Sequence, residues 1–282
     1  MPYPSLANDA ALTLLAHSDV LVLDVRTPQE YAQLGHIPGA RLLPVQCIAS
    51  APAVLPRDGG PILVYCEHGV RSRHAADVLV RAGFDNVHNL ALGMAEWTGP
   101  REMGDGPIWG PSAWVLDHAH LYASKRRVLD VAAGRGRHAL LFAAAGFEVT
   151  AVDRNSDVLA ELAASAEAQG VSVATRTADL EVPGYSFAPE TWDLVIVTRY
   201  LHRPLFAALR AALAPGGLLV YETFTTAQRD EPTGPSSDAF LLQPGELPRL
   251  VSPLEILEQA EGVVDGQHLA AVVARRNSPE VF

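Results

Sequence analysis

The sequence twice alternates short apolar runs with helical segments, and each time a turn after one of the runs carries reactive residues. Residues 62–65 form an apolar run, and the turn that follows contains Cys66 and leads into a helical pattern at residues 73–81. Residues 128–131 form another such run, followed by a turn with two glycines. This alternation of strands and helices predicts mostly parallel sheets that are covered on both faces. We therefore expect two α/β units.

Glycine and proline are dense between residues 99 and 111, which is typical of a linker. We predict a first domain at 1–104, a linker at 105–113, a second domain at 114–276 and a tail at 277–282. The expected strands lie at 20–25, 40–43, 62–66, 87–90, 127–131, 148–152, 171–176, 193–197 and 218–223. The expected helices lie at 29–34, 72–82, 94–97, 137–145, 156–169 and 204–213. Residues 254–260 and 268–274 are expected to form an edge hairpin, so that the second sheet has seven strands.

Composition excludes several classes of protein. The formal net charge of −11 argues against binding of bulk nucleic acid, which requires a basic surface. The two cysteines, Cys47 and Cys66, are too few for a disulfide framework and fit a reducing cytoplasm. No apolar run is long enough to span a membrane, and the first residues do not resemble a signal peptide. We expect a cytoplasmic protein, whose oligomeric state the sequence leaves open.

The turn at Cys66 has the features of a site that stabilises negative charge on sulfur. A thiolate that precedes a helix faces unpaired N–H groups and the positive end of the helix dipole. Gly69 allows the turn to bend sharply, so that successive N–H groups point inward. Arg71 and Arg73 add positive charge. Such a turn can hold a thiolate, a persulfide or an oxyanion.

Four segments of the first domain resemble the motifs of rhodanese domains, in the family's order. They are residues 23–31, 35–40, 65–72 and 92–97. The resemblance implies a sulfurtransferase in which Cys66 carries sulfur as a persulfide. It also implies that Asp24, Arg26 and Arg71 belong to the catalytic loop and its support.

The length of the cysteine loop separates this chemistry from that of phosphatases with a similar architecture. Those enzymes place an arginine six residues after the cysteine, and Ser72 stands there in this chain. Glu67 departs from sulfurtransferases that hold thiosulfate with basic loop residues, and its charge would repel a dianion. This argues against thiosulfate as the natural donor. A small-molecule or a protein persulfide is an equally good donor.

The second turn combines glycines with two acids. Asp130, Gly134 and Gly136 follow the pattern D-x-x-x-G-x-G, and Asp153 closes the next strand, where it can accept both hydroxyl hydrogens of a ribose. A dinucleotide-binding fold is the main alternative, but its third spaced glycine is absent. An acid beside the turn also suits a cationic sulfonium cofactor better than a pyrophosphate.

The second domain resembles class I S-adenosylmethionine-dependent methyltransferases over about 160 residues, and is most similar to small-molecule enzymes of the tellurite-resistance type. The matching segments are 130–136, 153, 177–180, 191–197 and 213–217. The resemblance implies S-adenosylmethionine as cofactor. The residues that it implies for cofactor binding are Asp130, Ala132, Gly134, Gly136, Asp153, Arg154, Asp179 and Leu180.

Methyl acceptors in this fold lie beyond the fourth and fifth strands. Our candidates for contact with the acceptor are Arg199, Tyr200 and His202, for which the alternative is an ordinary surface turn and helix start. His118 and His120 lack companion ligands in the sequence, so we predict no metal site.

These features together predict a bifunctional enzyme. Persulfide formation on Cys66 would be coupled to methylation of a small molecule, such as a thiol or sulfide, and the partners would be that acceptor and a sulfur donor. In one alternative, the first domain is a redox or persulfide sensor that regulates the methyltransferase. In another, the acceptor is a thiolated tRNA or a carrier protein. In a third, both pockets are vestigial and the protein is a scaffold.

Overall fold

A computed structural model of the chain describes residues 2–17, 19–57, 59–106, 108–264 and 266–278. The chain divides into two compact units between Pro111 and Ser112, and the first unit also includes Ala164–Val171. This division lies within the predicted linker at 105–113. Most of the predicted tail at 277–282, and Asp265 in the predicted hairpin turn, lie outside the described residues.

The first unit is a five-stranded parallel sheet with the strand order β1-β5-β4-β2-β3. Every residue of its central strand is buried, which explains the uninterrupted apolar run. The predicted parallel sheet is confirmed, whereas the first strand and helix and the helical residues 45–54 were not predicted. The elements are β1 Ser5–Leu6, α1 Asn8–Leu15, β2 Leu21–Asp24, α2 Pro28–Gln33, β3 Arg41–Leu42, α3 Ala51–Val54, β4 Ile62–Tyr65, α4 Val70–Arg81 and β5 Val87–Leu90, with 3₁₀ turns at Val45–Ser50 and Met94–Glu96.

The second unit is a seven-stranded sheet with the strand order β11-β12-β10-β9-β6-β7-β8. Only β12 runs antiparallel to its neighbours β10 and β11, so the predicted mostly parallel sheet with an edge hairpin is confirmed. The elements are α5 Ala113–Asp117, β6 Arg127–Val131, α6 Arg137–Ala144, β7 Glu148–Asp153, α7 Ser156–Ala168, β8 Val173–Thr177, β9 Trp192–Thr198, α8 Phe206–Ala212, β10 Leu213–Phe224, α9 Glu246–Val251, β11 Glu255–Val264 and β12 Gln267–Arg275.

The longest helix in the described part of the chain is α7, with 13 residues. A helix that crosses a bilayer needs about 20 apolar residues. No helix among the described residues is therefore long and apolar enough to span a membrane.

Two glycines allow the loop after β4 to pack closely against the loop after β5. The N–H group of Met94 donates to the carbonyl oxygen of Cys66 at 2.9 Å. Gly93 has a φ of +68°, and a Cβ there would lie 2.3 Å from the Cys66 carbonyl oxygen. Gly69 has a φ of +74°, and its Cβ would lie 2.3 Å from the Ala91 carbonyl oxygen. The close approach of the two loops therefore requires both glycines.

A buried carboxylate joins β6 to α6 in the second unit. Asp130 is almost fully buried, and its Oδ2 accepts the N–H of Ala139 at 3.0 Å. Burial raises the pKa of Asp130 to about 7, although the Ala139 hydrogen bond and the charge of Arg137 oppose the shift. The carboxyl group therefore takes up a proton more readily in the folded chain than in the unfolded one.

Gly93→Ala is expected to destabilise the first unit by roughly 3 kcal/mol, because a left-handed φ and a clash with backbone oxygen act together. Gly39→Ala is the matched control: its φ is +73°, but a Cβ there would meet nothing within 4 Å. That variant should lose only about 1 kcal/mol. Hydrogen exchange in peptides that cover β4 and β5 measures the difference. Equal protection in the two variants would show that the loops can separate without cost.

Replacement of Asp130 should change how stability depends on pH. Between about pH 4 and about pH 7 the folded state binds a proton at Asp130 that the unfolded state does not, so stability falls as the pH rises. Urea unfolding of Asp130→Asn should show a smaller decrease between pH 5 and pH 7 than the wild type. Asp193→Asn serves as the control: burial raises the pKa of Asp193, but hydrogen bonds from Arg126 and Arg127 outweigh it, so the pKa is lowered and its contribution changes only at lower pH. An unchanged slope in Asp130→Asn would contradict the assignment.

Candidate active sites

The first candidate site is the loop between β4 and α4, which encloses the sulfur of Cys66. Cys66 is only 1% exposed, and the hydroxyl of Ser72 donates to its Sγ at 3.4 Å. Within the described ranges, the backbone N–H groups of residues 67–71 donate to no acceptor in the protein. These groups belong to the residues that precede the 12-residue helix α4 and to its first two residues. The loop can therefore stabilise negative charge on a sulfur atom, but a donor must enter the loop to reach it.

Arg26 connects this loop to the end of β2 through a network of buried hydrogen bonds. Its guanidinium donates to Asp24 through Nε and Nη2, to the carbonyl oxygen of Gly35 at 2.7 Å and to Oε2 of Glu67 at 2.8 Å. Burial lowers the pKa of Arg26, but the hydrogen bonds and charge of Asp24 and the bond to Glu67 outweigh it. The structure thus shows Asp24 and Arg26 as residues that position Glu67, the residue after the cysteine.

Arg71 is paired with a carboxylate that the start of α2 holds in place. Thr27 and Glu30 form a capping box, in which each side chain binds the backbone N–H of the other residue. Both oxygens of Glu30 then accept hydrogen bonds from Arg71. The bond to Arg71 lowers the pKa of Glu30 to about 2. Glu30 raises the pKa of Arg71, and the nearby Cys66 contributes to this shift.

The second candidate site begins at the turn between β6 and α6. Ala132, Gly134 and Gly136 have φ values of +53°, +55° and +78°. The N–H of Gly134 donates to Oδ2 of Asp153 at 2.8 Å, and that of Asn155 donates to Oδ1 at 2.9 Å. A carboxylate has about four acceptor positions, so Asp153 keeps two for a diol.

A cavity of about 360 Å³ lies beside this turn. Five of the eight predicted cofactor residues line it, and Asp130, Gly134 and Gly136 do not. Of the predicted acceptor contacts, Arg199 and Tyr200 line the cavity and His202 does not. The full lining consists of Ala132, Asp153, Arg154, Asp179, Leu180, Glu181, Arg199, Tyr200, Leu201, Thr223, Phe224, Pro235 and Phe240.

The hydroxyl of Tyr200 is buried and has no hydrogen-bond partner in the described structure. Burial raises the pKa of Tyr200 to about 12, and the charges of Glu181 and Asp179 add to the shift. The phenol therefore lies near the acid that ends β7 and the two acids that follow β8. This places Tyr200 at the end of the cavity where the predicted cofactor acids stand.

Two arginines lie where β9 ends. Arg199 has a φ of +55°, and its Nη2 donates to Oε1 of Gln267 at 2.8 Å. Arg137 donates to the hydroxyl of Thr198 at 3.3 Å. Burial, followed by repulsion from Arg199, lowers the pKa of Arg137 to about 10. Arg199 lines the cavity, whereas Arg137 does not and lies near the carboxylates of Glu222 and Asp130.

Sequence reasoning missed several functional positions. The pairing of Glu67 with Arg26 and of Glu30 with Arg71 depends on contacts 41 residues apart in the chain. Glu181 directly follows the predicted pair Asp179 and Leu180, so its position gave a signal. Pro235 and Phe240 lie in a segment without regular hydrophobic spacing, which gave none.

Comparison with known proteins supports both units. Residues 7–100 match the family model "Rhodanese-like domain", and residues 128–217 match the model "Methyltransferase domain". The thiosulfate sulfurtransferase GlpE of Pseudoalteromonas translucida is 36% identical over 97 residues, which are 34% of this chain and 90% of that protein. The protein of the same name from Pseudomonas entomophila is 39% identical over 106 residues, or 37% and 94% of the two chains.

Among solved structures, the fold of the chain is similar to that of TehB from Haemophilus influenzae. The TM-score is 0.50 and the identity 21%, with 59% of this chain and 63% of that chain covered. This likeness concerns the fold alone. The protein is therefore an enzyme that belongs to the rhodanese-like family over residues 7–100 and carries a methyltransferase domain over residues 128–217.

Proposed function

We propose that the protein is bifunctional: Cys66 takes up sulfane sulfur as a persulfide, and the second domain uses S-adenosylmethionine to methylate a small thiol or sulfide derived from it. The observation that carries the first part is the buried Cys66 sulfur, which directly precedes backbone N–H groups of residues 67–71 that have no acceptor in the described part of the protein. The cavity with Asp153 and the unpartnered Tyr200 hydroxyl supports the second part.

In the sulfur step, the Cys66 thiolate attacks the outer sulfur of a donor persulfide. A new S–S bond forms at Cys66, the S–S bond of the donor breaks, and the donor leaves as a thiolate that takes up a proton. The N–H groups of residues 67–71 then stabilise the terminal sulfur, which lies about 2 Å beyond Sγ. An acceptor thiolate takes this sulfur by the reverse exchange. A second thiol can then attack the acceptor persulfide, which releases the outer sulfur as sulfide and joins the two thiols in a disulfide.

The residues of the second site fit S-adenosylmethionine. The two free acceptor positions of Asp153 suit the ribose hydroxyls, and Asp179 and Leu180 line the adjoining wall of the cavity. When bound, the cofactor supplies a methyl group on a positively charged sulfur. We assign the Tyr200 hydroxyl to the cofactor end, on the basis of its acidic neighbours. Arg199 remains our candidate for contact with an anionic acceptor.

A methyl acceptor that is already an anion needs little acid–base catalysis, and the main requirement is alignment with the methyl group. Arg199 lines the cavity and makes this side favourable for a thiolate or hydrosulfide. Phe224 and Phe240 provide apolar walls that limit the entry of water. The arrangement thus favours a small anionic acceptor.

The proposal predicts different effects for the two cysteines. Cys66→Ala should abolish persulfide loading, as measured by intact-protein mass spectrometry after treatment with cysteine persulfide. Cys47→Ala is the matched control, because burial raises the pKa of Cys47 to about 11 and keeps its thiol unreactive at neutral pH. With isotope-labelled methyl donor, a methylated sulfur product should form with wild type and Cys47→Ala.

In the same assay, Cys66→Ala should still bind the methyl donor but give no methylated product from the persulfide. Asp153→Ala should load sulfur normally and lose methylation. Methylation that depends on the oxidation of Cys66 without turnover of sulfur would instead favour the sensor alternative. Unchanged methylation of every acceptor in Cys66→Ala would refute coupling.

Tyr200→Phe should weaken binding of S-adenosylmethionine by about fivefold to tenfold, because one hydrogen bond is lost. Tyr185→Phe is the matched control, since the Tyr185 hydroxyl is also buried without a partner but does not line the cavity. Isothermal titration calorimetry measures both affinities. Equal affinity in wild type and Tyr200→Phe would show that the hydroxyl does not contact the cofactor.

A further inference from the structure

We propose that Glu67 determines the specificity of the sulfur site, which selects organic persulfides over the thiosulfate dianion. This inference rests on the proposed function, in which Cys66 accepts sulfane sulfur. It gives the donor a chemical class: a sulfur attached to an organic thiol, with at most one negative charge at the reacting end. The two relatives described above are named for thiosulfate, so this chain would differ from them in its donor.

The first observation is that Glu67 compensates the most deeply buried cation beside the loop. Arg26 is 0% exposed, and its guanidinium already binds Asp24 and the carbonyl oxygen of Gly35. The remaining nitrogen, Nη1, donates to Oε2 of Glu67 at 2.8 Å. The side chain of Glu67 is 19% exposed, so its carboxylate contacts the buried arginine and is also partly accessible to solvent.

The second observation concerns the charges of the other two arginines of the loop. Arg71 is bound by both oxygens of Glu30, and the Nε of Arg73 donates to the carbonyl oxygen of Gly69. Asp24 and Glu67 both pair with Arg26, and Glu30 pairs with Arg71. The three carboxylates therefore equal the three guanidinium groups in number, so the side chains add little net charge beside Cys66. The positive potential at Cys66 then comes mainly from the N–H groups at the start of α4, which correspond to about half an elementary charge. This suits one negative charge better than two.

The third observation concerns the chemistry around the loop. Val70, within the loop, is 62% exposed, and Leu92 is 64% exposed. Leu92 directly precedes Gly93, which packs against the carbonyl oxygens of Cys66 and Glu67. These apolar side chains can contact the carbon atoms of an organic persulfide. Thiosulfate presents only oxygen around its sulfur and gains nothing from them.

The selected reaction differs from the rejected one in its leaving group. With an organic persulfide, the Cys66 thiolate gains the outer sulfur. The organic part leaves as a thiolate with one negative charge, which takes up a proton to become a thiol. With thiosulfate, the same S–S exchange releases sulfite, which carries two charges on oxygen. The carboxylate of Glu67 disfavours both the entry of thiosulfate and the accumulation of charge on the departing sulfite.

The test compares rates of persulfide loading on Cys66 with cysteine persulfide and with thiosulfate, by rapid mixing and intact-protein mass spectrometry. Glu67→Gln should raise the second-order rate constant for thiosulfate by about tenfold, because one negative charge beside the site is removed. The rate constant for cysteine persulfide should stay within about twofold. Asp85→Asn removes the same charge from an exposed position before β5, at the opposite end of the parallel sheet, and should change neither rate.

A second measurement uses the wild type alone, so that the test does not depend on the folding of a variant. If the cations of the loop are compensated, the thiosulfate rate constant should change little between low and physiological salt. A steep fall with salt would reveal an uncompensated positive site and overturn the proposal, as would an unchanged donor ratio in Glu67→Gln. Failure of both donors to load Cys66 would instead refute the proposed sulfur function itself.

Discussion

The carboxyl ends of parallel strands determine where chemistry can occur in this protein. At these ends the chain turns into a helix whose first N–H groups have no partner within the helix. Both candidate sites are built there: Cys66 follows β4 and precedes α4, and the glycine turn follows β6 and precedes α6. The same topology therefore offers backbone N–H groups to two different ligands, and side chains decide which ligand each site accepts.

Carboxylates stabilise these turns before any ligand binds. At the second site, Asp130 accepts the N–H of Ala139 and Asp153 accepts that of Gly134; at the start of α2, which supports the first site, Glu30 accepts that of Thr27. In each case an acidic side chain satisfies a backbone donor near a helix start or in a turn. The cost of burying Asp130 is visible in its raised pKa. Burial therefore disfavours the charged form of a side chain that holds the start of α6.

The sequence predicted the features that depend on local pattern and spacing. The strand and helix that flank Cys66, the parallel sheets and the edge hairpin follow from hydrophobic spacing and from the positions of glycine and proline. The ion pair between Arg26 and Glu67 could not be predicted, because it depends on how close the ends of β2 and β4 lie in the folded sheet. The lining residues Pro235 and Phe240 lie in a segment that has no periodicity and is placed by tertiary packing.

The two sites differ in the sign of the sulfur charge that they suit. Around Cys66 three carboxylates equal three guanidinium groups in number, so the N–H groups favour a sulfur with one negative charge. At the cofactor end of the second cavity, Asp153, Asp179 and Glu181 outnumber Arg154. This excess of negative charge favours a positively charged sulfonium. An acceptor sulfur that carries negative charge would be repelled from those acids and attracted toward Arg199, which lines the cavity where β9 ends. In the proposed reaction, this charge distribution favours a sulfonium beside the acids and an anionic acceptor on the side of Arg199.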